Sequence, residues 1–339
     1  MIDIKAIRSS QDSQSAVRKL LITGATGRQG SAVIDALLSK PLDPPFSIIA
    51  LTRDIQSPKA QALIEKHTSN SNVKVVEGDV NSPYPIFSTH GPFYGVFCYT
   101  IPGKPGEEER QAKRLIDASI VNRVEHFIYS SIDRGGSGES DVNPTRFPHF
   151  AAKWRNEVYL RGRCAIHSDM QWTILRPVCF MDNLTPNFRG KAFASIWAGL
   201  QDTPLQVVSI RDLGLFTARA FNEEGEYKGW TITLAGDDLS FPEAKQIFKL
   251  TMEKNLPETF SFVGTLVKFM NREAGTMFKY CKEDGFGGDI EELRKEEPTL
   301  QDFETWLKQS SGFAPEWKDH IAHSRNISEK ELAHTEQMV

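Results

Sequence analysis

Residues 19–30, KLLITGATGRQG, decide the fold of this 339-residue chain. The apolar run Lys19–Thr23 is too short for a helix and is typical of a buried strand. It runs directly into the glycine turn Gly24–Gly30, and residues 31–40 carry apolar side chains at helical spacing. A strand, a glycine turn and a helix in immediate succession predict the first unit of a nucleotide-binding α/β fold.

Five further short apolar runs follow, and they alternate with helical stretches. Strands are predicted at residues 47–52, 73–76, 95–100, 125–130 and 171–175, and helices at residues 107–121 and around 150–160. This alternation predicts an α/β protein with a Rossmann-type doubly wound parallel sheet.

The pattern loosens after Pro177, where strands at residues 205–209 and 230–234 predict a smaller α+β C-terminal lobe. Four parts are expected: a flexible N-terminus (1–17), a Rossmann domain (18–176), a C-terminal substrate or partner lobe (177–325) and a polar tail (326–339). Residues 256–281 carry many apolar side chains between positions 260 and 278 and are expected to bury several faces. Helix N-caps are predicted at Ser57, Asp212, Ser240, Asp289 and Thr299.

Composition excludes several classes of protein. The chain has 40 Lys+Arg against 44 Asp+Glu, a net charge of −4, which argues against direct binding of nucleic acid or of an anionic membrane. Its four cysteines form no CxxC pair and have no nearby His cluster, so no metal site and no disulfide framework are expected. The N-terminal residues lack the apolar core of a secretory signal, and no run approaches the roughly 20 apolar residues of a membrane span. A cytoplasmic location is expected, with a nuclear one as the alternative.

The glycine turn carries Gly24, Gly27 and Gly30 in a G-x-x-G-x-x-G pattern. Glycine allows the tight turn, the close approach of backbone to a pyrophosphate and the close packing of helix on strand. The helix N-terminus then offers N–H groups and a positive dipole end to the phosphates. The turn residues Thr26, Arg28 and Gln29 are therefore also predicted to bind the cofactor.

The choice of dinucleotide depends on the end of the second strand, Thr52-Arg53-Asp54. NAD sites usually place a carboxylate there for the ribose, whereas NADP sites use arginine for the 2′-phosphate. Arg53 together with Arg28 favours NADP(H) over NAD(H), because guanidinium groups bind phosphate bidentately. Asp54 keeps NAD(H) open, since its carboxylate is equally suited to the ribose or to a surface salt bridge.

Two further strand ends provide cofactor-binding candidates. Asp79 follows the third strand and is either an acceptor for the adenine amino group or a turn aspartate. Thr100 begins the loop after the fourth strand, which topology assigns to the nicotinamide side.

With GATGRQG, LTRD, EGDV and FIYSS in this order, the chain resembles the atypical short-chain dehydrogenase/reductase superfamily. PHFAAK (148–153), WTILRPVCFMDNL (172–184) and VSIRDLG (208–214) resemble the NmrA-like family, and two later stretches resemble its fungal members. The resemblance implies a Rossmann domain with a smaller lobe that forms a pocket over the nicotinamide. It also implies one of two functions. The family includes NADP(H)-dependent reductases, and it includes NADP-sensing regulators that bind the dinucleotide without catalysing a reaction.

Reductases of this superfamily usually take the proton from Tyr in a Tyr-x-x-x-Lys pair, which this chain lacks. The matching spacing here is His149-x-x-x-Lys153. The resemblance gives Lys153 two compatible roles, binding the nicotinamide ribose and general acid/base catalysis. His149 is either a proton donor or a structural residue. Ser130 orients the substrate or satisfies backbone at its strand end.

The resemblance assigns Phe180, Met181 and Asn183 to the wall of the substrate pocket, with core packing as the alternative for the first two. The leading hypothesis is an NADP(H)-dependent oxidoreductase acting on a carbonyl or conjugated double bond of an apolar small molecule, such as a fungal metabolite. The alternative is a non-catalytic, redox-sensing regulator that acts through a protein partner. The sequence leaves the substrate and the oligomeric state open.

Overall fold

A computed structural model describes residues 17–314, except for residues 42–44, 102, 168, 224 and 259–278. The apolar stretch 260–278, the polar tail and the N-terminal segment up to residue 16 lie outside the described residues.

A seven-stranded sheet forms the centre of the fold, with the strand order β3-β2-β1-β4-β5-β6-β9. All five neighbouring pairs from β3 to β6 are parallel. A second sheet of three strands has the order β10-β8-β7. The strands are β1 (Lys19–Ile22), β2 (Ser47–Thr52), β3 (Val73–Glu77), β4 (Gly95–Tyr99), β5 (His126–Ser130), β6 (Gln171–Pro177), β7 (Cys179–Phe180), β8 (Leu205–Val208), β9 (Trp230–Leu234) and β10 (Asp237–Leu239). The predicted doubly wound α/β fold with a smaller second lobe is confirmed.

Helices connect the parallel strands, as crossovers in a doubly wound sheet require. The α-helices described are α1 (Arg28–Ser39), α2 (Pro58–Lys66), α3 (Tyr84–His90), α4 (Glu107–Val121), α5 (Ser137–Val142), α6 (Pro148–Ile166), α7 (Phe188–Trp197), α8 (Ile210–Asn222), α9 (Phe241–Met252), α10 (Ile290–Glu296) and α11 (Phe303–Gln309). None of the helices in the described part of the chain is long and apolar enough to cross a membrane.

The chain forms two compact units and crosses between them five times. Within the described residues, the first unit takes those between 17 and 131, 152 and 175, and 213 and 231, and the second takes those between 132 and 151, 176 and 212, and 232 and 314. In the first unit, apolar residues of the strands and of α4 form a core that includes Leu21, Val96 and Phe127. In the second unit, the core is rich in aromatic side chains, among them Trp197 and Phe303.

Three of the five predicted helix N-caps are confirmed by the structure. Ser57 caps α2 through the N–H of Ala60, Ser240 and Glu243 form a capping box at α9, and Asp289 caps α10. The predicted caps at Asp212 and Thr299 are wrong. The helix containing Asp212 begins two residues earlier, at Ile210, and the cap of α11 is Asp302. Asp212 is instead fully buried, and its carboxylate accepts from the Ser209 hydroxyl and the Gln301 N–H.

Candidate dinucleotide-binding site

The strand order reverses direction between β1 and β4, since the chain proceeds outward to β3 on one side and to β6 on the other. In open α/β sheets of this kind, ligands bind at the carboxyl ends of the strands at this switch point. The glycine turn lies there, because it joins the carboxyl end of β1 to the N-terminus of α1.

The glycine turn is packed too tightly for side chains at two of its positions. Gly24 has a φ of +60°, and a Cβ there would lie 2.7 Å from Cδ1 of Tyr99. A Cβ on Gly30 would lie 2.4 Å from the carbonyl oxygen of Gly24. The glycines therefore bring α1 directly against the end of β1.

The N-terminus of α1 fits the pyrophosphate of a dinucleotide. Its N-cap is Gly27, which supplies no capping side chain, and its first turn carries no acidic residue. The first N–H groups of a helix have no partner within the helix, and the helix dipole favours an anion beside them. Both Arg28 and Gln29 lie in this first turn, and Arg28 is exposed.

The end of β2 presents Arg53 and Asp54, both exposed. No carboxylate of the described residues forms an ion pair with Arg53. Asp54 is engaged locally: its Oδ1 accepts the N–H of Gln56 at 2.9 Å and its carbonyl oxygen accepts the Ser57 hydroxyl at 2.8 Å. The carboxylate of Asp79 closes a similar turn, accepting from the backbone N–H and the side-chain amide of Asn81.

Lys153 lies in the first unit, where α6 packs on the sheet, and only 3% of it is exposed. Its Nζ donates to the carbonyl oxygen of Thr100 at 2.9 Å, to the Thr100 hydroxyl at 3.1 Å and to the carbonyl oxygen of Ser130 at 2.9 Å. The carboxylate of Glu108 lies 3.5 Å from the same nitrogen. The ammonium group thus joins the carboxyl ends of β4 and β5.

Burial controls the electrostatics of this cluster. It lowers the pKa of Lys153, an effect that the neighbouring carboxylate of Glu108 opposes. Burial also raises the pKa of the Cys98 thiol to about 12 and raises the pKa of Tyr129 well above its ordinary value. Tyr129 is therefore a neutral phenol, hydrogen-bonded by the amide of Asn156 at 2.9 Å.

Ser130 connects the end of β5 to the glycine turn. Its hydroxyl donates to Oε1 of Gln29 at 2.7 Å. The neighbouring Ser131 donates to the buried carboxylate of Glu157. The structure thus brings together Ser130, Gln29, Thr100 and Lys153, which the sequence predicted as separate site residues.

Thr26 is half-buried in the glycine turn of the first unit, whereas the predicted residues His149, Phe180, Met181 and Asn183 belong to the second unit. His149 is half-buried, and its ring centroid lies 6.1 Å from that of Phe150. Met181 is 1% exposed and packs in the aromatic core, while Phe180 is partly exposed. The side chain of Asn183 hydrogen-bonds the Cys179 thiol.

Sequence reasoning missed Glu108, Tyr129 and Asn156, which complete the cluster around Lys153. A usable signal existed for Glu108, the central member of an acidic run at residues 107–109. It shares a helical face with the buried residues Ala112 and Leu115, four and seven positions later. Glu109 precedes the buried residues Ala112 and Ile116 by three and seven positions, so the spacing indicates the buried face of the helix without separating Glu108 from Glu109.

A doubly wound sheet with a glycine turn at its switch point defines a Rossmann-type protein of the dinucleotide-binding class. Within this class, the chain belongs to the NmrA-like family, whose model matches residues 17–307.

Three known proteins illustrate the similarity. An NmrA-like family domain-containing oxidoreductase of Aspergillus hancockii, hkm9, is 24% identical over 263 residues, which cover 68% of this chain and 71% of that protein. The triphenylmethane reductase of Citrobacter sp., complexed with NADP(H), superposes with a TM-score of 0.66 at 18% identity, over 87% of this chain and all of the reductase. NmrA, a negative transcriptional regulator solved with NADP, superposes with a TM-score of 0.59 at 17% identity, over 87% of this chain and 95% of NmrA.

Proposed function

We propose that this protein is an NADP(H)-dependent oxidoreductase that reduces a carbonyl or conjugated double bond of an apolar small molecule. The observation that carries the proposal is the cluster in which Ser130 and Lys153 meet the glycine turn. Ser130 hydrogen-bonds Gln29 of the turn, and Lys153 donates to the Ser130 carbonyl oxygen. The groups suited to the chemistry and the groups suited to the cofactor therefore belong to one hydrogen-bonded network.

Burying an ammonium group costs desolvation free energy, so a buried lysine suggests that its charge has a function. Replacing a buried ion pair by well-packed apolar side chains is often neutral or stabilising, so packing alone does not explain Lys153. When bound, NADPH would supply a hydride from its nicotinamide ring. The charge of Lys153 suits two tasks beside that ring. One is binding the ribose. The other is releasing a proton to the oxygen of a carbonyl whose carbon has accepted the hydride or, for a conjugated double bond, to the α-carbon after the hydride has added to the β-carbon.

The preference for NADP(H) rests on the arginines. Arg53 is exposed, has no ion-pair partner within the described residues and follows the strand that carries the ribose-binding residue in this class. Asp54 is already hydrogen-bonded to its own turn. We propose that Arg53 and Arg28 bind the 2′-phosphate, the role for which a guanidinium group is best suited.

Titrating the intrinsic fluorescence of the protein with NADPH and with NADH tests the cofactor. Arg53→Ala should weaken NADPH binding by about 10- to 100-fold, the value of a charge-assisted hydrogen bond, and NADH binding far less. Asp54→Ala is the matched control at the neighbouring position and should leave NADPH binding unchanged. Equal losses for both dinucleotides in the Arg53 variant would refute the assignment.

Turnover tests the activity. NADPH oxidation should accelerate when ketones, enones or quinones of apolar skeleton are added to the wild-type protein. In Lys153→Met the turnover number should fall by roughly 10²–10⁴-fold, the usual contribution of general acid catalysis. Unchanged turnover by that variant would exclude Lys153 from the chemistry.

A second candidate function, a redox-sensing regulator, is favoured by one specific observation. Three oxygens of Thr100 and Ser130 already accept from Nζ of Lys153, so giving a proton to a substrate would require one of these hydrogen bonds to break. A sensor must bind NADPH and NADP⁺ with different affinities, because equal affinity shifts no equilibrium. A large affinity ratio, together with NADPH oxidation that no substrate accelerates, would favour this candidate over the enzyme.

A further inference from the structure

We propose that Glu108 is a positioning residue that, with the Thr100 hydroxyl, holds the Lys153 ammonium at the ends of β4 and β5 and keeps it charged. This inference rests on the proposed function, in which Lys153 serves the dinucleotide or the substrate.

Glu108 occupies an unusual position for a carboxylate. It lies in the first turn of α4, where acidic residues are normally solvated, yet it is only 5% exposed. Its Oε1 accepts the Thr100 hydroxyl at 3.0 Å and lies 3.5 Å from Nζ of Lys153. One carboxylate oxygen therefore contacts both the lysine and the residue that orients it.

A chain of hydrogen bonds runs through the cluster, and its last acceptor is Glu108. Thr100 has a single hydroxyl hydrogen, which it gives to Glu108, so its oxygen accepts from Lys153 and, at 3.4 Å, from the Tyr129 hydroxyl. Tyr129 in turn accepts from Asn156. Each group in this chain passes a hydrogen towards Glu108, and an ionised carboxylate is the group that can end it without donating one.

Glu108 also dominates the charges that surround Lys153. The titratable groups facing it are Glu108 on α4, Cys98 and Tyr99 on β4, Tyr129 on β5, and Glu157 on its own helix α6. The pKa values of the thiol and of both phenols are raised by burial, so these three groups are neutral near pH 7. Glu157 is shared with Ser131 and Arg161, which leaves Glu108 as the principal counter-charge.

Glu108→Gln keeps the shape and the acceptor oxygen but removes the charge. The pKa of Lys153, already lowered by burial, should fall further, since an opposite charge at this distance shifts a pKa by about 1–3 units. Where the folded-state pKa of a lysine is below its unfolded value, the unfolded chain binds more protons, so stability rises with pH. The variant should show this rise more steeply, and from a lower pH, than the wild type.

The experiment is thermal unfolding of the full chain without cofactor, between about pH 6 and pH 9. Glu109→Gln is the matched control: Glu109 is the next residue of the same turn, but its partners are Arg155 and Lys113 at the surface. We expect a lowered Tm that rises steeply with pH in Glu108→Gln, and the wild-type profile in Glu109→Gln. Adding Lys153→Met to Glu108→Gln should abolish the steep rise. A wild-type pH profile in Glu108→Gln would overturn the proposal.

A second variant and a kinetic measurement also test the role of Glu108. If Glu108→Gln does not fold, Glu108→Asp takes its place; its shorter carboxylate should give an intermediate profile, and the wild-type profile would again overturn the inference. If a substrate is found, the alkaline limb of kcat/KM should move to lower pH by about 1–3 units in Glu108→Gln and stay in place in Glu109→Gln. Absence of turnover in the wild type would remove the proposed function, while the unfolding profiles would still decide the role of Glu108.

Discussion

Gly30 is the position at which the glycine turn should tolerate least change. A Cβ added there would lie 2.4 Å from the carbonyl oxygen of Gly24, 2.7 Å from its carbonyl carbon and 2.8 Å from Cα of Ala25. All three are backbone atoms, which cannot swing aside as a flexible side chain would. Gly30→Ala must therefore open the turn or move α1 away from the end of β1.

The size of this effect follows from the contacts. Overpacking a well-packed site typically costs about 1–3 kcal/mol, and the cost here should reach the upper end, about 3 kcal/mol, because only backbone can yield. Gly162 provides a reference within the same unit, since it is exposed on α6 and a Cβ there meets nothing within 4 Å. Gly162→Ala should stabilise the protein by about 1 kcal/mol through helix propensity.

Urea unfolding followed by far-UV circular dichroism compares the two variants. The same chemical change should lower the free energy of unfolding at residue 30 and raise it at residue 162. NADPH binding should weaken at least tenfold in Gly30→Ala, because the first N–H groups of α1 move, and should stay unchanged in Gly162→Ala. Wild-type stability and NADPH affinity in Gly30→Ala would refute the packing described for the turn.

Two further predictions concern stability. Burial raises the pKa of Asp212 to about 6 from 3.8, so its contribution to stability is complete below about pH 3.8 and is lost as the pH rises through about 6. At about 1.4 kcal/mol per pKa unit, the free energy of unfolding should fall by roughly 3 kcal/mol over this range. Urea unfolding at pH 4 and pH 7 should show this fall in the wild type and not in Asp212→Asn. An equal fall in the variant would contradict the assignment. Arg123 lies two residues after the end of α4 and has a φ of +55°, a conformation that costs a non-glycine residue about 1 kcal/mol. Arg123→Gly should therefore raise the urea midpoint, whereas Arg110→Gly within α4 should lower it, and the opposite order would show that the backbone at Arg123 is not strained.

The strands were predictable because each is a short apolar run between polar or glycine-rich segments. Ser47–Thr52 and Trp230–Leu234 match their predicted bounds, and α4 matches over its full length. Elements with no periodicity were not predictable. Helix α5, SGESDV, has Val142 as its one large apolar residue, and β7 has only two residues, so their formation depends on contacts with segments remote in sequence.

The same limit applies to the candidate site. Lys153, Ser130 and Gln29 were each predicted, because motif spacing and strand ends indicate residues one at a time. Their hydrogen bonds to one another span between 23 and 101 positions of sequence, which no local pattern encodes. Asp212 shows the converse. Its position before an apolar helical stretch is typical of a helix N-cap, but its carboxylate accepts a hydrogen bond from the N–H of Gln301, 89 positions away.

The interleaving of the two units has a consequence for how this chain folds as it is synthesised. Residues 213–231 belong to the first unit, where Phe221 packs so closely that a Cβ on Gly95 would lie 2.5 Å from its ring. The ring of Phe221 also lies edge-on to that of His126 in β5, with centroids 5.6 Å apart. The sheet that carries the glycine turn is therefore incomplete when its six parallel strands have left the ribosome, and a fragment ending at residue 176 would expose the apolar surface that Phe221 covers. The first unit has all of its segments only when synthesis has reached about residue 231, so we expect its native packing to form after that point.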